Sequence, residues 1–133
     1  MQDRPTAIEL LRAAQEFCKR DLLPNLEGRV RFHARVLQNV LGILEREWEQ
    51  EEDAVRAEWA RLRALLGETA VPPAGLNELK DVVVDWNRRL SADIRAGELD
   101  DTWDETVEAI HATVAAKLGV ANPRHSVAAS SET

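Results

Sequence analysis

"LEGRVRFHARVLQNVLGILEREWEQEEDAVRAEWARLRALLG", residues 26–67, is the stretch whose reading decides the fold. It is rich in Leu, Ala, Glu and Arg, which favour helix. Placed at about 100° per residue, its first half carries a broad apolar arc. Phe32 and Ile43 lie at one edge. Val36, Leu37, Val40 and Leu44 fill the middle, and Val30, Ala34, Leu41 and Trp48 the other edge. Val55, Trp59, Leu62 and Leu66 continue a helical stripe to Gly67. Nothing between Trp48 and Val55 breaks a helix. Either one very long helix runs over 28–66, or it bends within the acidic run at 49–53. The mean helix is far shorter, which favours the bend.

The flanking sequence repeats the helical theme. "TAIE" opens a first helix, with Thr6 and Glu9 spaced for a capping box. Ile8, Leu11, Cys18 and Leu22 share one side, and Pro24 ends or kinks the helix. After "GETAVPPAG", a loop with paired prolines, Leu79, Val82, Val83, Trp86, Leu90 and Ile94 mark another helix. Gly97 suits the position just beyond its end. Thr102 and Glu105 have capping-box spacing before a last helix bearing Trp103, Val107, Ile110, Val114 and Leu118. Asn122 and Pro123 close it. Strand signals are almost absent, and Tyr is missing altogether. Short connections favour antiparallel neighbours. The expected fold is all-α, an antiparallel up-and-down bundle of four or five helices that includes one very long second helix if no bend interrupts it. The bundle domain spans 1–122, and the small, polar stretch 123–133 reads as a flexible tail.

Bulk properties narrow the function. A chain of 133 residues is about one domain and can bury a core without a metal or disulfide staple. The charge of −7, from 17 basic and 24 acidic residues, disfavours nucleic acid and anionic membranes. No apolar run approaches the ~20 residues needed to span a bilayer. The N-terminus lacks a signal-peptide pattern. A single cysteine, Cys18, fits a reducing compartment, so the expected location is the cytoplasm.

The chemistry-bearing residues are few. His33 lies near the centre of the apolar arc and reads as a neutral core histidine with a hydrogen-bond partner on another helix. Arg29 and Glu47 fall in the same arc at opposite ends of the helix. With His33 they make an expected buried polar set, each pairing with other helices. Glu108 and His111 spell E-x-x-H on the last helix. Di-iron bundles need that motif twice, plus further glutamates. Here Val30 stands three residues before His33, so no second copy exists and no metal is expected. Cys18 sits on the apolar side of the first helix, with no basic neighbour on that side to make it a thiolate. No phosphate loop or nucleophile elbow is present, so no catalytic residue is assigned. The four tryptophans mostly fall on stripes and are expected in the core. Any left exposed would mark a partner face.

Opposite the apolar arc, Arg31, Arg35, Asn39, Gly42 and Arg46 share a side of the second helix. This is a cationic stripe on an acidic chain, with a glycine dent in its middle. It is either a solvated face whose arginines pair with neighbouring acids or a docking strip for an acidic or phosphate-bearing partner.

Four stretches carry a resemblance: "RPTAIELLRAAQEF" at 4–17, "LEGRVRFHARVLQNVLGILERE" at 26–47, "IRAGELDD" at 94–101 and "VAAKLGVANPR" at 114–124. Together they resemble a small bacterial helical family of unknown function. Its members are encoded beside aminoglycoside-phosphotransferase-like kinases and acyl-CoA dehydrogenases. One branch is the small subunit accompanying the 4-hydroxyacyl-CoA kinase of levulinate-type catabolism. The resemblance maps the family pattern onto Arg29, Phe32, His33, Asn39, Arg46, Glu47, Asn122, Pro123 and Arg124. Where many relatives have a Gly- or Pro-containing break, this chain has "EQEEDAVRAEW" at 49–59.

The resemblance implies a non-catalytic accessory subunit, with no cofactor of its own, for a phosphotransferase-fold kinase acting on hydroxyacyl-CoA. ATP and magnesium would belong to that kinase. The expected contact residues are Arg31, Arg35, Asn39, Arg46 and Arg124. The alternative is a free-standing homodimeric bundle that binds a small anionic ligand such as an acyl-CoA, with Arg29, His33 and Glu47 lining its pocket. A hydrolase or metalloenzyme ranks last, since no nucleophile or ligand set is assembled.

Overall fold

The computed structural model describes residues 4–124, and these form helices with no strand among them, the all-α class expected. Four α-helices account for most of the chain. They are α1 (Ala7–Phe17), α2 (Gly28–Leu65), α3 (Leu76–Ala96) and α4 (Trp103–Ala121). A π-helical turn, Cys18–Leu22, and a 3₁₀ turn, Leu23–Asn25, join α1 to α2. The tail from residue 125 onward lies outside the described residues. No helix among them is long and apolar enough to cross a membrane.

The bend favoured at 49–53 is absent. α2 is one helix of 38 residues. The acidic run carries no glycine, proline or β-branched cluster to interrupt it. Within the run, Glu52 pairs with Arg56 one turn later at 2.7 Å. An i, i+4 pair of this orientation supports helix.

Chain contacts divide the molecule into two compact units, Met1–Gln50 and Glu51–Thr133. In the first unit, Thr6 and Glu9 close the expected capping box. The Thr6 amide donates to Glu9 Oε2 at 2.7 Å, and the Glu9 amide donates to Thr6 Oγ1 at 3.3 Å. A polar clamp then ties α1 to α2. Arg12 Nε donates to Glu45 Oε1 at 2.6 Å, and its Nη2 to Glu49 Oε1 at 2.7 Å. Gln15 Nε2 donates to the other Glu45 oxygen at 2.7 Å. Later residues of α1 thus meet earlier residues of α2, so the two helices run antiparallel. Gly42 sits on this seam. A Cβ there would stand 4.0 Å from Gln15 Oε1 and 3.3 Å from Arg46 Nη1. Cys18 and Ala34 are the buried apolar residues of this unit among those described.

The second unit has a conventional core. Trp59 and Leu62 of α2, Leu79, Val83 and Leu90 of α3, and Leu99 from the following turn are buried together. Val55, Trp86, Ile94 and Ile110 pack against them. Trp59 and Trp86 stack with centroids 5.6 Å apart, and the Arg63 guanidinium lies over the Trp59 ring. Glu58 is also buried. Its Oε1 accepts from Asn87 Nδ2 on α3 at 2.8 Å and from Lys117 Nζ on α4 at 3.1 Å. One carboxylate therefore connects three helical segments. Gly97 adopts φ +78° and ends α3 as expected, with the Glu98 amide donating back to Asp93 O. The second expected capping box does not form. The 3₁₀ turn Asp100–Thr102 feeds into α4, and the Thr102 hydroxyl turns back toward Leu99 O instead.

Two stability outcomes follow from this packing. Leu79 is fully buried and Val84 half-exposed on the same helix. Leu79→Ala should cost about 2–5 kcal/mol in denaturant unfolding, and Val84→Ala less than about 0.5 kcal/mol. The second outcome concerns acid. The Gln15 amide, and then the Arg12 guanidinium, hold the Glu45 carboxyl below the usual carboxylate range. A lowered folded-state value stabilises above the ordinary glutamate range, and that stabilisation is lost as pH falls through the lowered value. Glu45→Gln should therefore be less stable than the parent at neutral pH, with the gap narrowing in acid. Parallel unfolding midpoints across the acid limb would refute the assignment.

Candidate functional site

Most of the apolar arc of α2 does not face the interior, although Ala34 at its edge is buried. Val30, Phe32, Val36, Leu37, Val40, Leu44 and Trp48 are all exposed, with Phe32 at 62 % and Trp48 at 66 % of full accessibility. The reason is the clamp. Arg12 and Gln15 draw α1 onto the side of α2 that carries Gly42 and Glu45. On the helical wheel, that side meets only the Ala34–Leu41 edge of the arc and lies well away from Phe32, Val36 and Val40.

The exposed face is wider than one helix. Leu10 and Phe17 of α1 are also about half exposed. In an antiparallel pair, turning in the same rotational sense from the shared seam leads to the same side of the pair. From the α1 seam, that turn reaches Ala14, Leu10 and Phe17. From the α2 seam it reaches Leu37, Leu44 and Val40. The first unit is thus a helical hairpin with an apolar side contributed by both helices. Contiguous apolar patches above a few hundred Å² are rare on monomeric proteins and mark contact sites.

His33 stands on this exposed face, not in a core. It accepts from Arg29 Nε at 3.2 Å and packs edge-on against Phe32, with centroids 5.7 Å apart. Arg29 and Glu47 are exposed as well, so the expected buried polar set is corrected on burial. It is also corrected on grouping. Glu47 lies 18 positions after Arg29, about 27 Å along a helix, beyond the reach of either side chain. The three residues share a face without forming a pocket.

The cationic strip divides. Arg31, Arg35 and Asn39 are exposed on α2. Neither Arg31 nor Arg35 has a carboxylate within 4.0 Å among the described residues, whereas Arg12, Arg56, Arg88 and Arg89 are all ion-paired. Arg46 is half-buried, its guanidinium filling the space over Gly42. Arg124 is exposed beyond α4 and belongs to the second unit. Of the tryptophans, Trp59 and Trp86 lie in the core, while Trp48 and Trp103 are exposed.

The remaining candidates are dispersed. Glu108 and His111 are both exposed on α4. Among the described residues no group of three or more His, Cys, Asp or Glu converges as metal ligands would. A cavity of about 200 Å³ opens between α2, α3 and α4, walled by Leu62, Leu65, Leu90, Ile110 and Val114. Arg61 borders it and is held by Thr113 Oγ1 at 3.2 Å. Its size admits a group somewhat larger than benzene. Sequence reasoning missed Glu58. The signal was present, since Glu58 falls between Val55 and Leu62 on the apolar stripe, and a carboxylate there must find partners.

Searches of curated proteins and of solved structures each found no match. A family model does match, over residues 24–125, a span that contains the exposed α2 face, the arginine strip and the three-helix core. That span covers most of the chain, which belongs to the family described as Domain of unknown function (DUF6285).

Proposed function

We propose that this chain is a non-catalytic accessory subunit that acts by protein–protein contact. The observation that carries this reading is the pair of arginines, Arg31 and Arg35, exposed on α2 of an acidic chain and without an ion-pair partner among the described residues. An arginine fork suits carboxylate or phosphate on a partner, and its charge remains available when no neighbouring acid neutralises it. Asn39 extends the strip, and Arg46 beside Gly42 borders it. The resemblance in the quoted stretches points to the partner, an aminoglycoside-phosphotransferase-fold kinase acting on hydroxyacyl-CoA. On this reading the kinase supplies ATP, magnesium and the phosphoryl-transfer chemistry. The present chain supplies a docking surface that holds the kinase in its active form.

Co-expression with the kinase-fold protein encoded nearby tests this directly. The two should co-purify, and kinase activity should rise when this protein is added. Arg31→Glu with Arg35→Glu should weaken the complex at least about tenfold while leaving the unfolding midpoint nearly unchanged, since both side chains are exposed. Absence of a complex, together with kinase activity indifferent to this protein, would sink the proposal.

A further inference from the structure

We infer that the apolar face of α2, on the side away from α1, binds the same face of a second copy of this chain, the two α2 helices crossing antiparallel about a two-fold axis level with residue 38. Three observations carry this. First, a layer of two helices with one apolar side requires a second layer to cover it. Within the first unit α1 covers the seam side of α2, where Ala34 is buried, and leaves Phe32, Val36, Val40 and Leu44 exposed.

Second, seven large apolar side chains of α2, from Val30 to Trp48, are exposed, and a contiguous apolar patch of this kind marks a contact site.

Third, the face is complementary to itself. A two-fold contact requires that residue i meet residue j and that j meet i. Along α2 the apolar residues are distributed almost evenly about position 38. An antiparallel crossing there sets Val36 against Val40 of the other copy, and Phe32 against Leu44. The same register sets Arg29 against Glu47. These are the two opposite charges within the arc, and they lie the same number of residues from the axis. Both are exposed, and within one chain they are too far apart to meet. In the dimer the pair forms twice, once on each side of the axis.

This inference is independent of the accessory-subunit reading, because it uses the apolar side of α2 and not Arg31 or Arg35. Sedimentation equilibrium of the full chain tests it. The wild type should be a dimer at micromolar concentration, and Arg31→Glu with Arg35→Glu should leave it so. Val40→Glu should give a monomer of unchanged helicity. Arg29→Glu and Glu47→Arg should each raise the dimer Kd about tenfold, and the double exchange should restore it. The charge variants are on exposed positions, so they report on association even if Val40→Glu disturbs folding. A monomeric wild type would overturn the inference, as would a dimer indifferent to the apolar and charge variants alike, or a double exchange no tighter than the singles. A monomer whose α2 face gains hydrogen-exchange protection only when the kinase-fold protein is added would assign the face to that partner and also overturn it.

Discussion

A helix has one circumference, and a single neighbour can cover only part of it. In the first unit that neighbour is α1, and the Arg12–Glu45–Gln15 clamp decides which part it covers. The choice has a physical basis. Ala34 is buried on that side, and the carboxylates of Glu45 and Glu49 supply acceptors for Arg12. Once α1 lies on that seam, the valines, leucines and aromatics of α2 remain outside. The exposure of Phe32 and Trp48 and the surface position of His33 follow from this seating.

The helices themselves were legible in the sequence. The Thr6–Glu9 box, the stop at Gly97 and the end at Asn122 all appear where residue type and spacing place them. The α2 core stripe from Trp59 to Leu66 also packs as its periodicity predicts. What periodicity did not carry is direction. An apolar arc says that a face needs covering but not which molecule covers it, so His33 was read as a core residue. The small residues held the missing information. A glycine within a helix otherwise made of strong formers costs stability, and here it leaves room for the Arg46 guanidinium beside the α1 seam. α2 runs far beyond the average helix length because no residue in 49–53 opposes helix.

The two units divide the chemistry differently. The second is a closed three-helix assembly with a stacked tryptophan pair and a buried carboxylate. The first is open on one side and charged on another. Membership of the DUF6285 family covers the whole of α2 and reaches into both units. The matched region therefore contains a self-sufficient core together with surfaces that a core does not require.

Glu58 has a consequence for how the second unit finds a single arrangement. Apolar stripes on α2, α3 and α4 tolerate sliding, because one leucine packs against another with little preference for alignment. A buried carboxylate does not tolerate it. Shifting α3 or α4 by one turn would carry Asn87 or Lys117 about 5 Å away and leave the charge without its donors. An uncompensated buried charge is costly, so misaligned packings are raised in energy more than the aligned one is lowered. The carboxylate acts as an alignment key, excluding the neighbouring registers that the hydrophobic side chains alone would accept.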